Sequence, residues 1–332
     1  MEKPPSNKKE SGVSRVVGFE PEQESELLDY FRNELKSDFP DLSMEKEKTS
    51  EEEVMIGRIN DAMQKFLMHY GVEAIEIPAK NIHVLDKTKI TPEELQDIQK
   101  RFGTENGFYS ARKQAVALLK EYEDGKKLSF LQTLAHEMLH LEGFYSYQRS
   151  SREAADFSLK RGSVNMNIRR SGFSIGTRDG ERLLFDKLNE AVITELAKRF
   201  ERAYFGQWPE LEAELQTRDA YVRRAAERDH IPVEKMREMV AHIEGDASSG
   251  YRGVTYAYFE ARAKFNDLID KLYEKNKSDF ESREQVFDLF AKATLTGRLL
   301  PVARLIEKTF GKGSFREIGE RSADKPSQDV PV

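Results

Sequence analysis

The sequence predicts an α+β protein, with a small mixed sheet in its first half and a mostly helical second half. Two observations lead to this expectation. Short alternating apolar stretches, which are typical of strands, occur between residues 74 and 119 and between residues 168 and 185. Apolar residues at three- and four-residue spacing, which are typical of amphipathic helices, flank these stretches and continue from residue 209 to residue 310.

Composition limits the classes of protein that fit. Charged residues make up 34% and hydrophobic residues 38% of the 332 residues, as in a soluble protein with a strongly charged surface. The 53 basic and 59 acidic residues are interspersed, so nucleic acid is not an expected partner. The lack of cysteine excludes disulfides, thiolate metal ligands and cysteine nucleophiles. No signal peptide or membrane-spanning run is visible, so we expect a cytoplasmic protein without a membrane partner.

Polar composition predicts the state of the chain ends, and apolar spacing predicts the first helices. Residues 1–20 and 320–332 are polar and contain prolines, so we expect two disordered tails. Pro21 is tolerated in a first helical turn, and the apolar spacing after it predicts a helix over residues 21–39. A charged linker and a second predicted helix, residues 51–70, follow.

The pattern then changes to alternation. Residues 74–77 and 82–85 are predicted strands, separated by a proline. A helix over residues 92–102 is expected next, because a proline opens it. Residues 107–109 and 115–119 are predicted to form a hairpin or an edge strand directly before the following helix.

That following helix is predicted over residues 128–141, where apolar residues recur at three- and four-residue spacing. Ser129 and Gln132 fit a capping box at its start, and Gly143 fits a stop just after its end. The spacing indicates a half-buried helix with its histidines on a stripe beside the apolar one.

The second half of the chain reads as one hairpin followed by helices. Residues 168–175 and 181–185 are predicted to pair around the turn pair Asp179-Gly180. From Lys187 onward, apolar residues at four-residue spacing predict a second strongly amphipathic helix. Five further helices are predicted over residues 209–228, 232–243, 255–276, 283–294 and 301–310.

One short motif indicates chemistry. His136-Glu137-Met138-Leu139-His140 places two imidazoles four residues apart in the first of these amphipathic helices. Residues i and i+4 lie on one helix face, so both rings can direct a nitrogen to one ion. Glu137 lies beside the first ring and can reach a water on that ion, which makes it a candidate general base for zinc-assisted hydrolysis.

A catalytic zinc site usually has three protein ligands and a water, so a third ligand is needed. One familiar extension, HExxHxxGxxH, is followed through Gly143 but has Ser146 at its last position. The other takes a glutamate from a separate downstream helix, which points to the segment of residues 188–195. Residues that could supply the third ligand in or near this part of the chain are Glu190, Asp186, Glu195, His230 and His242.

The motif His136–His140, followed by Asn189-Glu190-Ala191, resembles the zincin metallopeptidases, and in particular the gluzincin branch that includes thermolysin-like enzymes. The resemblance implies a zincin-like fold over about residues 71–205. It also implies Zn²⁺ as cofactor, with His136, His140 and Glu190 as ligands and Glu137 as general base. The substrate would then be a peptide or protein. Thermolysin-like sequences have an acid four residues after the ligand glutamate, where this chain has Thr194.

Two further expectations concern the substrate. The resemblance implies an oxyanion donor well downstream of the third ligand, where His242 is the first choice and His230, Tyr204, Tyr221 and Tyr256 are further candidates. An edge strand at residues 115–119 is expected to hold an extended peptide.

A rival interpretation is a non-catalytic binding or scaffold protein on a degenerate zincin fold, whose helical second half supplies the interaction surface. A weaker one uses the same site on a non-peptide amide. The sequence does not determine the oligomeric state. The expected division of the chain is a tail (1–20), N-terminal helices (21–70), a catalytic domain (71–205), a helical subdomain (206–319) and a second tail (320–332).

Overall fold

A computed structural model describes residues 13–36, 45–96, 106–111, 114–120, 122–149, 166–245, 248 and 250–322. The strands are β1 (Val13–Val17), β2 (Ile82–Val84), β3 (Gly107–Ser110), β4 (Ala115–Leu118), β5 (Tyr145–Arg149), β6 (Met166–Ser171), β7 (Ser174–Gly176), β8 (Leu183–Leu184), β9 (Val240–Glu244) and β10 (Arg252–Thr255). The helices are α1 (Pro21–Lys36), α2 (Ser50–Met68), α3 (Lys127–Glu142), α4 (Asp186–Tyr204), α5 (Glu212–Arg228), α6 (Val233–Met239), α7 (Phe259–Lys275), α8 (Arg283–Thr296), α9 (Leu300–Phe310) and α10 (Ser314–Arg321). The predicted α+β class is confirmed. None of the helices in these ranges is long and apolar enough to cross a membrane.

The strands of the described residues form three small sheets. In the first, β4 lies between β2, which is parallel to it, and β3, which is antiparallel. The second sheet has the order β1-β5-β6-β7-β8, with β1 and β5 parallel and the other pairs antiparallel. The third is an antiparallel pair of β9 and β10. The predicted turn at Asp179-Gly180 is confirmed, since it joins the hairpin of β7 and β8. The single strand predicted over residues 168–175 is wrong, because these residues form two strands, β6 and β7, that pair with each other across a turn at Gly172.

Helices α3 and α4 form the centre of the molecule. One buried apolar cluster contains side chains from both helices and extends from α2 to α9. Helix α3 is buried on nearly every side, including Leu134, Met138 and Leu139, which are inaccessible to solvent. A helix with so little exposed surface is held by packing rather than by its own propensity. The residues that project from α3 and α4 are therefore held in a rigid setting.

Residues 74–77 were predicted to be a strand, and this is wrong. The segment has no regular secondary structure, and its backbone bonds side chains instead of a neighbouring strand. The backbone N–H of Ile75 donates to Glu142 Oε1 at 2.9 Å, and Asn60 bonds both the N–H and the carbonyl of Ile77 at 3.1 and 2.9 Å. These side chains satisfy backbone groups that a sheet partner would otherwise bond.

The capping box predicted at the start of α3 is also wrong. Helix α3 begins one residue earlier than expected, and its N-cap, Lys126, makes no side-chain cap. Glu214, from α5, caps the helix instead. Its carboxylate accepts the N–H groups of Lys127 and Leu128, each at 3.0 Å. The predicted stop is confirmed, since Gly143 is the C-cap.

Strand β4 contradicts the expectation of a substrate-binding edge strand at residues 115–119. It is hydrogen-bonded to β2 on one side and to β3 on the other, so its backbone groups have partners on both sides. The hairpin expected between residues 107–109 and 115–119 is confirmed as β3 and β4.

Other differences lie at the ends of elements. Residues 13–17, expected within a disordered tail, form strand β1 beside β5. The helix predicted over residues 232–243 ends at Met239 and continues as strand β9. Residues 92–96 are helical, as expected, while the rest of that predicted helix lies outside the described residues, as does most of the segment between β5 and β6.

Candidate metal centre

Helix α3 places the two motif histidines on one side, as the i, i+4 spacing predicts. Their Nε2 atoms lie 3.2 Å apart, and the rings meet edge to face with centroids 4.8 Å apart. His140 is buried, whereas His136 is partly accessible. Both nitrogens therefore point to one small volume beside the helix.

Helix α4 brings Glu190 to the same volume. Its Oε2 atom lies 3.3 Å from His140 Nε2 and 3.6 Å from His136 Nε2. This atom is buried and accepts no hydrogen bond of normal geometry. Although burial opposes it, the two histidines hold the pKa of Glu190 well below its ordinary range. The structure thus brings His136, His140 and Glu190 together as a group that could hold a metal ion.

The spacing of the three ligand atoms suits a tetrahedral ion. Ligands at about 2.0–2.1 Å from a tetrahedral centre are separated from one another by roughly 3.4 Å. The three separations here, 3.2, 3.3 and 3.6 Å, lie close to that value. A buried carboxylate oxygen without a hydrogen bond is costly unless a cation or donor satisfies it. The donor set and its spacing therefore fit a bound cation.

Glu137 lies on α3 next to the first histidine and is only 7% exposed. Burial raises its pKa to about 7, with the charge of Glu190 acting in the same direction and His136 against it. A carboxyl group that gains and loses a proton near neutral pH is suited to general acid–base chemistry. The structure thus gives Glu137 the environment that a general base requires.

Asn189 positions the third member of the group. Its side chain is 1% exposed and accepts the backbone N–H of Phe173 at 2.8 Å, in the turn between β6 and β7. A Cβ on Gly172 would lie 2.4 Å from Asn189 Oδ1, so glycine is required for this close approach. Asn189 therefore joins the β6–β7 turn to α4 at the position directly before Glu190.

Two tyrosines flank the histidines. The ring of Tyr109, from β3, stacks on His140 with centroids 4.4 Å apart and planes 6° apart. Its hydroxyl lies 3.0 Å from Ser171 Oγ. On the other side, the ring of Tyr258 lies nearly parallel to His136 at a centroid distance of 6.2 Å. The rings limit how far each imidazole can rotate away from the common volume.

Tyr258, like Tyr109, is a site residue that the sequence did not predict. Its hydroxyl faces Glu190, whose charge, together with burial and Glu137, raises the pKa of Tyr258 well above its ordinary value. The phenol therefore remains a proton donor at neutral pH. Tyr258 is the N-cap of α7 and has φ +55°, and no local cap signal or spacing in the sequence marks it.

The downstream residues weighed for the donor and ligand roles lie elsewhere. The Nδ1–H of His242 donates to Gln132 Oε1 at 3.1 Å, and its Nε2 lies 3.7 Å from Glu244. The Tyr256 hydroxyl donates to Glu201. Glu195 is paired with Arg262, Lys198 and Arg199, and Asp186 with Ser174. The structure places none of these side chains in the group formed by the histidines and Glu190.

Thr194 occupies the position, four residues after Glu190, at which thermolysin-like sequences have an acid. Its side chain does not bond a histidine ligand as that acid would. Its hydroxyl donates to the backbone carbonyl of Glu190 at 2.8 Å, within helix α4. The hydroxyl thus supports the ligand-bearing turn of the helix. The rings of His136 and His140 are oriented from outside their own helix by Glu190 and by stacking on the two tyrosines.

Comparison of the chain with protein-family models, with curated proteins and with solved structures gives no match.

Proposed function

We propose that this protein is a zinc-dependent peptidase of zincin type. The observation that carries the proposal is the convergence of His136, His140 and Glu190 at tetrahedral spacing, with the buried carboxyl of Glu137 beside them. Two imidazoles and one carboxylate are a usual ligand set for catalytic zinc and leave a fourth position for water or substrate. The α+β architecture, with the motif helix against a small sheet, agrees with this class.

Each residue has a defined role in this proposal. Bound zinc would supply Lewis acidity, polarising the scissile carbonyl and making its water more acidic. Glu137 takes the proton of the attacking water and later returns it to the leaving amine. Tyr258 presents a protonated hydroxyl that can stabilise the negative charge developing on the attacked carbonyl oxygen. Tyr109 and Asn189 hold one histidine and the helix of Glu190 in place.

The test of the metal is elemental analysis of the wild type, His140→Ala and Glu190→Ala, purified side by side. We expect about one zinc per chain in the wild type, none in His140→Ala and less in Glu190→Ala, because a three-ligand site tolerates the loss of one ligand poorly. No zinc in the wild type after reconstitution would contradict the proposal and favour a scaffold.

The test of the chemistry is Glu137→Gln in a peptide-hydrolysis assay. The amide keeps the shape of the side chain but cannot accept the proton, so turnover should fall by a factor of about 10² or more while zinc is retained. Asp124→Asn is the matched control, since that carboxylate lies just before α3 and its side chain is 98% exposed. Full activity of Glu137→Gln would exclude this mechanism.

A further inference from the structure

A buried polar network ties the segment that ends at Tyr258 to both helices of the metal centre. The segment, here called the arm, comprises residues 240–245 and 250–258 and contains strands β9 and β10. Tyr258 has a left-handed backbone at φ +55°, which is unfavourable for a residue with a bulky side chain and requires support from its surroundings. Its carbonyl accepts the N–H of Arg262 at 2.9 Å, in the first turn of α7.

Tyr256 is the residue of the arm that provides this support. Its hydroxyl donates to Glu201 Oε2 at 2.8 Å, and its backbone N–H donates to the carbonyl of Met239 at 3.0 Å. Two cations lie near its ring: Lys198 Nζ is 5.1 Å and Arg262 Cζ is 5.2 Å from the ring centroid. The ring, the hydroxyl and the backbone N–H of Tyr256 therefore all have partners, two residues before Tyr258.

Glu201 connects the arm to α3 and α4, the two helices that carry the metal centre. It lies on α4, eleven residues after Glu190, and is 4% exposed. The same oxygen that accepts the Tyr256 hydroxyl accepts Gln132 Nε2 at 2.8 Å, and the other oxygen is paired with Arg218. Gln132 lies on α3, one turn before His136.

Gln132 also bonds the arm itself. Its Nε2 donates to the carbonyl of Ala241 at 2.9 Å, and its Oε1 accepts the Nδ1–H of His242 at 3.1 Å. One carboxylate and one amide thus join α3, α4 and both ends of the arm. A charged acceptor in a buried network makes such bonds stronger and more directional than exposed ones.

We propose that Tyr256 is a positioning residue, whose hydrogen bond to Glu201 fixes the hydroxyl of Tyr258 at the metal centre. This role rests on the proposed function. Tyr256 acts through Tyr258, since its own hydroxyl bonds Glu201 and not a member of the metal centre. Loss of its hydroxyl removes the hydrogen bond between the end of the arm and Glu201 of α4, while the ring keeps its contacts with Lys198 and Arg262.

The experiment uses Tyr256→Phe in the full chain labelled with 3-fluorotyrosine. The ¹⁹F resonance of Tyr258 is identified as the one that Tyr258→Phe removes, and it is recorded with and without added zinc. Tyr251→Phe is the matched control, because this tyrosine lies in the same arm and is 43% exposed. We expect the Tyr258 resonance to shift or broaden in Tyr256→Phe and to stay unchanged in Tyr251→Phe.

Kinetics provide the second readout. In Tyr256→Phe we expect kcat to fall about tenfold, with KM and zinc content unchanged, because a displaced hydroxyl weakens an interaction made in the transition state. In the Tyr258→Phe background, Tyr256→Phe should lower kcat no further. Fully multiplicative losses in the double variant would overturn the proposal.

The two readouts separate this proposal from the proposed function. If the wild type hydrolyses no peptide, the peptidase proposal fails, and the resonance alone decides whether Tyr256 positions Tyr258. A Tyr258 resonance that is identical in the wild type and Tyr256→Phe overturns the positioning role whatever the activity is. A resonance that moves supports it.

Discussion

Under the proposed function, Tyr258→Phe distinguishes a residue that helps to bind metal or substrate from one that stabilises charge during peptide hydrolysis. The substitution removes only the hydroxyl that faces Glu190 and leaves the ring beside His136. Loss of one donor to a developing oxyanion costs roughly 10²–10³ in rate. We therefore expect kcat for peptide hydrolysis to fall by about that factor, while KM and zinc content stay near their wild-type values.

The control for this prediction is Tyr273→Phe, which removes a hydroxyl further along α7. It should leave the kinetics unchanged. Wild-type kcat in Tyr258→Phe would show that the hydroxyl takes no part in the reaction, whereas loss of zinc would show that it supports the ligands instead.

His242 makes the stability of the fold sensitive to pH. Burial lowers its pKa from 6.5 to about 4, and the nearby cations Lys120 and Arg218 act in the same direction against Glu244. Because the unfolded chain binds this proton more readily, the stability that His242 provides is present above pH 6.5 and is lost as the pH falls toward 4. At pH 5 the loss amounts to about 2 kcal/mol relative to pH 7.

The measurement is urea unfolding of the wild type and His242→Gln at pH 7 and pH 5. Every other group titrates in both proteins, so the difference between them isolates the histidine. The wild type should lose about 2 kcal/mol more than the variant between the two pH values. Equal losses would mean that His242 is protonated in the folded protein at pH 5.

At the level of single residues, the sequence predicts those site residues whose positions depend on local spacing along a helix. His136, Glu137 and His140 follow from helical geometry, and Glu190 followed from the resemblance of its motif. Tyr258 could not be found this way, since its place beside His136 depends on where the arm lies. Asn189 was recognised as part of a motif, but its contact with the β6–β7 turn requires the tertiary fold.

Among the elements, α3 depends on a cap from another helix. Glu214 accepts the first two N–H groups of α3 and places a negative charge at its N-terminus. We expect Glu214→Ala to lower the free energy of unfolding by roughly 1–2 kcal/mol, the usual cost of removing an N-cap. Urea unfolding measures this loss.

Hydrogen exchange of residues 127–130 locates the effect of Glu214→Ala, because protection should fall there first. Glu212→Ala is the control, as Glu212 lies in the same first turn of α5 and its carboxylate accepts a hydrogen bond from Gln216 of its own helix. Unchanged exchange at the start of α3 in Glu214→Ala would show that the bond is not needed to hold the helix.

The helices predicted close to their observed bounds are those in which apolar residues recur at a constant spacing over several turns. Helices α3, α4 and α8 begin within a residue or two of expectation, because their apolar faces repeat over several turns. Short segments were placed poorly where side chains compete for backbone groups, as Asn60 and Glu142 do at residues 74–77. The change from α6 to β9 at Val240 has no periodic signal and depends on pairing with β10.

At the scale of the whole molecule, the proposed ion would join two helices that the chain brings together across 50 residues. His140 lies on α3 and Glu190 on α4, and these helices share the largest buried cluster. An ion that binds the folded state but not the unfolded chain stabilises the fold by mass action. At a free concentration one hundred times its Kd, this amounts to about 2.7 kcal/mol.

Zinc should therefore raise the melting temperature of the metal-free protein by roughly 5 °C at that concentration. Mg²⁺ at the same concentration should have no such effect, because two imidazole ligands suit zinc and not magnesium. His140→Ala should melt at the same temperature with and without zinc, since it lacks the ligand from α3. A zinc-dependent rise of equal size in His140→Ala would place the ion elsewhere on the protein, and the three converging side chains would then need another explanation.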